Sequence, residues 1–91
     1  MMTEQTNRNY YAVIPANVRY NKSLSNISKL VYSELTTILT KDKKITVDAH
    51  KISKNLNIPY NNVLKAMVEL NEAKIIRVEN WEEDNFDIYF I

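Results

Sequence analysis

The chain has no cysteine and no glycine, and only two prolines, one histidine and one tryptophan in 91 residues. Without cysteine there is no disulfide framework and no thiolate nucleophile or metal ligand, which makes a reducing cytoplasm the expected compartment. Without glycine there is no glycine-rich phosphate loop. Every backbone position with positive φ must then be filled by another residue, most readily by one of the twelve asparagines. The lone histidine, His50, has no evident partner and reads as a surface residue on the first turn of a helix. No Cys/His cluster or paired-carboxylate spacing is present, so no catalytic residue, metal or cofactor is expected and the chain is not read as an enzyme. The polar segment 1–9 lacks the apolar core of a signal peptide, and no apolar run approaches the length that crosses a bilayer.

What is present is an ordinary globular balance, 45% apolar and 25% charged, with length for one domain. Residues 1–9 read as a disordered tail and 10–91 as a single domain. The net charge of +1 conceals an asymmetry: residues 1–65 hold ten Lys/Arg against four Asp/Glu, and residues 66–91 hold two against seven. Such a split can orient a domain on a charged partner, or can simply keep two faces solvated.

Tyr10–Ile14 is a short β-prone run ended by Pro15, and an irregular stretch over Ala16–Leu24 follows. Ser25 then offers an N-cap, and Ile27, Leu30, Val31, Leu35, Ile38 and Leu39 recur at helical spacing, predicting a first helix from about Asn26 to Leu39. Thr40–Lys44 reads as a polar loop and Ile45–Val47 as a short strand. Asp48 is placed to cap a second helix that turns Ile52 and Leu56 inward. Asn57 is a plausible left-handed terminator, Ile58 plugs the turn, and Pro59 opens a third helix at its first position. That helix, 59–70, buries Val63, Ala66, Met67 and Leu70. Ile75–Trp81 and Phe86–Ile91 then form a hairpin around Glu82-Glu83-Asp84-Asn85, with Trp81, Phe86, Tyr89 and Phe90 packing it.

The segment ISKNLNIPYNNVLKAMVELNEAKII, 52–76, resembles the helix-turn-helix core of many bacterial winged-helix proteins. The preceding YYAVIPANVRYNKSLSNISKLVYSEL, 10–35, is similar to the opening of replisome-organiser and replication-initiation proteins of Gram-positive phages and mobile elements. The resemblance implies an α+β winged helix: three helices, a short strand before the second, and a C-terminal hairpin wing. It further implies double-stranded DNA as the ligand and a role in replication initiation or transcriptional control. On that reading Tyr60, Asn61, Asn62 and Lys65 face the DNA from the third helix, an asparagine pairing with adenine and Lys65 reaching guanine or phosphate. Lys51 and Lys54, with Arg19 and Lys22 before the first helix, contact the backbone.

Of three departures from the family, the first two open a second expectation and the third bears on the fold alone. Leu64 and Val68 lie four apart on the third helix, where the family commonly has polar or basic residues. Glu79, Glu82, Glu83, Asp84 and Asp87 make the wing acidic, against the cations that a DNA-contacting wing carries. Lys74 stands where the family has glycine. The same fold redirected to protein binding would use Leu64, Val68, Trp81, Glu82, Glu83 and Asp84. Its partner would be a protein of a replication complex or a host nucleic-acid enzyme, inhibited as by an anti-CRISPR. The bland alternatives are that Leu64 and Val68 are core and that the wing acids only solubilise the hairpin. A homodimer is a third possibility.

Overall fold

The computed structural model describes residues 14–38, 44–82 and 84–91. The tail 1–9, residues 10–13 of the β-prone run, Leu39, residues 40–43 and Glu83 lie outside them. The described chain is α+β: α1 (Ala16–Arg19), α2 (Asn26–Thr36), β1 (Lys44–Asp48), α3 (Ala49–Leu56), α4 (Tyr60–Glu72), β2 (Ile76–Glu82) and β3 (Asn85–Phe90). The strands form one antiparallel sheet in the order β1-β3-β2, with Ile45 opposite Ile88, Val47 opposite Phe86 and Val78 opposite Ile88.

Period-two alternation sends Ile45, Val47, Phe86 and Ile88 to one sheet face, where they meet Val31 and Leu35 of α2, Ile52 of α3, and Val63, Met67 and Leu70 of α4. Among the described residues the opposite face carries Lys44, Thr46, Arg77, Glu79, Asp87 and Tyr89.

Several boundaries differ from the sequence expectation. The stretch 16–24 is not wholly irregular, because Pro15 acts as the N-cap of the four-residue α1 and accepts the Val18 and Arg19 N–H groups at 3.0 and 2.8 Å. The described residues therefore form four helices rather than three. α2 ends at Thr36, short of Leu39. Ser33, Thr36 and Thr37 each return a hydroxyl to the carbonyl three residues back at 2.6–2.7 Å, and the Thr37 N–H tightens onto the Glu34 carbonyl. Lys44 belongs to β1 rather than to the loop before it. Pro59 is the N-cap of α4 rather than its first residue, and α4 runs on to Glu72. The strands of the hairpin begin and end at Ile76, Glu82, Asn85 and Phe90, so Glu82 and Asn85 are paired strand residues and not loop.

The missing glycines are replaced as the composition requires. Asn57 (φ 57°) ends α3, with its own N–H on the Lys54 carbonyl and the Ile58 N–H on the Ser53 carbonyl. Lys74 (φ 62°) ends α4 in the same two-bond manner, with the Lys74 N–H on Asn71 and the Ile75 N–H on Leu70. The left-handed conformation costs a side-chain-bearing lysine roughly 1 kcal/mol, which this closure offsets. A third such residue, Asn80 (φ 52°), marks a one-residue bulge between Glu79 and Glu82 and aims Trp81 at the Phe86 ring, 4.8 Å between centroids.

Candidate nucleic-acid interface

α3 and α4 are joined only by Asn57, Ile58 and Pro59. The Ser53 hydroxyl locks the turn by donating to the Ile58 carbonyl at 2.6 Å. Because Val63, Ala66, Met67 and Leu70 are buried, the rest of the α4 surface is set by the helical period: Asn61, Lys65, Val68 and Glu72 are exposed, with Asn62, Leu64 and Glu69 half-buried beside them. Pro59 supplies no side-chain acceptor to the first-turn N–H groups of α4.

Asn61 and Lys65, one turn apart, share an exposed strip at the amino-terminal half of α4. On α3, Lys54 is exposed and lies one turn after His50, whose ring stacks on Tyr60 at 4.1 Å and 15°. Asn61 and Lys65 thus share one strip of α4, while Lys54 is exposed on α3, the helix before the turn. The structure does not bring all the expected cations together. Lys51 lines a groove with β1, Glu34 and Asn55, whereas Lys65 lines another with Ser25, Ile27 and Asn62. Lys22 lies in the turn Asn21–Ser23, which borders the carboxyl-terminal half of α4 at Glu69 and Glu72. Arg19, exposed on α1, lies over the Tyr20 ring at 5.7 Å.

Tyr60 is held rather than free. Its hydroxyl donates to Asp84, whose other carboxylate oxygen lies 3.1 Å from His50 Nε2. The Asp84 bond, with lesser burial and charge effects, pushes the Tyr60 pKa above its ordinary value. His50 therefore has partners after all, Asp84 and Tyr60, and sequence spacing could not show them because Asp84 lies on the hairpin. The signal was topological. β1 runs into α3 without a linker, so the hairpin end that pairs with Asp48 meets the first turn of α3, where the Ala49 N–H donates to the Asp84 carbonyl at 2.9 Å.

The residues of the protein-binding alternative are also dispersed. Leu64 is half-buried and packs against the core, so it is no exposed partner of Val68, which is 43% exposed. Trp81 is 42% exposed above Phe86, Glu82 is exposed, and Asp84 is occupied as described. On the sheet face away from the helices, Tyr89 lies between Lys44 and Arg77, and Arg77 also pairs with Glu79 at 2.7 Å. Asp87 accepts from Asn80 and Thr46, which holds its carboxyl below the ordinary range.

Among the described residues no cluster of His, Cys, Asp and Glu could hold a metal ion, and no helix is long and apolar enough to cross a membrane. No family model, curated protein or solved structure matches this chain.

Proposed function

We propose that this is a winged-helix domain that binds double-stranded DNA through the amino-terminal half of α4, in replication initiation or transcriptional control of a phage or mobile element. The element order from α2 onward, helix–strand–helix–helix–hairpin, and the sheet order β1-β3-β2 support that reading of the α+β fold. The observation that carries the reading is the exposed strip of Asn61 and Lys65 on the second helix of a tight helix–turn–helix. An asparagine at such a position suits the two-pronged edge of adenine, and the first-turn N–H groups suit a phosphate. With so few cations near the strip, few phosphates are neutralised, and the slope of log K against log salt is expected at roughly −2 to −4.

Titration of labelled AT-rich duplexes across salt tests this. Lys65→Ala should weaken binding of all duplexes and flatten the slope by about 1. Asn61→Ala should cost about 1–3 kcal/mol on the preferred duplex and little on others. Absence of binding at low salt, or wild-type behaviour of both variants, sinks the reading.

A second reading is favoured by one observation: Val68 is exposed on a shallow groove with Leu64, Lys65, Glu69 and Glu72. On this reading the carboxyl-terminal half of α4 docks on an apolar, basic-rimmed protein surface, and Val68→Asp abolishes capture of that partner while leaving DNA affinity unchanged. Retention of the same partner by Val68→Asp rejects it.

A further inference from the structure

β1 is an outer strand of the sheet, and among the described residues no strand lies beyond it. The phase of its hydrogen bonds follows from the link just past its end. The Ala49 N–H donates to the Asp84 carbonyl, making those two a hydrogen-bonded pair that continues the β1–β3 ladder. Such pairs alternate along an antiparallel ladder, so the backbone groups of Ile45 and Val47 face β3 and those of Thr46 face outward. The side chains alternate as well: Lys44, Thr46 and Asp48 away from the core, Asp48 also accepting the His50 N–H at 2.8 Å as the cap of α3, and Ile45 and Val47 in the core.

We infer that β1 is a dimerisation strand, its outer edge pairing antiparallel with β1 of a second copy about a two-fold axis at Thr46. The strand Lys44-Ile45-Thr46-Val47-Asp48 is its own complement in that arrangement. Lys44 faces Asp48 of the second copy at each end, Ile45 faces Val47, and Thr46 faces Thr46. The residue on the axis is also the one whose N–H and C=O point outward, so the Thr46 pair closes two backbone hydrogen bonds. Competing registers lose this match. A parallel pairing sets Lys44 against Lys44 and Asp48 against Asp48, and a one-residue slip turns the apolar pair to the polar face. Charged ends on a short edge strand deter indiscriminate pairing while permitting the one complementary partner. The assembly uses none of the α4 residues and stands or falls separately from the DNA reading.

A five-residue strand makes a small interface, so the dimer is concentration-dependent: monomer at about 1 μM and largely dimer at several hundred μM. Sedimentation velocity of the full chain over that range tests it. Thr46→Lys puts two ammonium groups opposite each other on the axis, while Asp87, which accepts the Thr46 hydroxyl at 2.7 Å, remains beside the new charge within its own chain. Lys44→Glu reverses both end contacts and leaves Thr46 and the core untouched. Each variant should raise the dimer dissociation constant roughly ten-fold or more with its thermal unfolding cooperative. A wild type that stays monomeric at several hundred μM overturns the proposal, whether the edge is free or covered by this chain's own residues. A dimer undiminished in both variants also overturns it, because the copies then meet elsewhere.

Discussion

Phe86→Ala is expected to lower the unfolding free energy by about 3–5 kcal/mol, the largest loss among single truncations of the sheet. Phe86 is almost fully buried on the central strand, opposite Val47, with the Trp81 ring over it. No neighbouring element can collapse into its place, because β1 and β2 are tied to β3 on either side. A domain of this size carries roughly 5–14 kcal/mol in all, so the midpoint of thermal unfolding should fall by about 12 °C or more. Trp81→Ala is the control: it removes the exposed partner of the same ring pair and should cost about 1 kcal/mol. Equal losses for the two variants would show that the sheet is not anchored through Phe86.

Glu69→Ala is expected to cost about 2 kcal/mol and roughly 8–16 °C of melting temperature, although the residue is only half-buried. The reason lies 44 residues away. The Ser25 hydroxyl caps α2 by accepting the Ser28 N–H at 3.1 Å, but Ser28 is too short to return the favour as a glutamate does at that position of a capping box. Glu69 of α4 takes that part, accepting the Ser25 N–H at 2.7 Å and the hydroxyl of the fully buried Ser28. The bond from Ser28, then that from Ser25, hold the Glu69 carboxyl below its ordinary value of 4.5. A folded pKa below the unfolded one gives stability that is complete above about pH 4.5 and is lost as pH falls through the folded value. Denaturant titrations of wild type and Glu69→Gln between pH 3 and 7 should therefore diverge near neutrality and converge toward the acid end. Parallel curves would remove Glu69 from the α2–α4 junction.

Helical spacing alone identifies Val63, Ala66, Met67 and Leu70 as the inner face of α4, and the absence of glycine directs attention to Asn57 and Lys74 as left-handed terminators. Those features were legible because they depend on neighbours within one or two turns. α1 was not, since four residues after Pro15 give no periodicity to read. The early end of α2 depends on three hydroxyls choosing their own backbone over solvent, which the residue types permit but do not dictate. Leu64 and Val68 have helical spacing in common but not environment: Leu64 packs half-buried against the core, and Val68 is exposed. Of the proposed interface, the identity of α4 and its exposed strip could be read. The tying of Tyr60 and His50 to Asp84 could not, because it is set by where the hairpin folds back.

The most direct test of the account is amide chemical-shift mapping on the 15N-labelled chain titrated with an AT-rich duplex. Perturbations should concentrate at Tyr60–Lys65 and His50–Lys54 and leave β2 unmoved. Shifts confined to Val68–Glu72, or none at low salt, would contradict the assignment of the amino-terminal half of α4 to DNA.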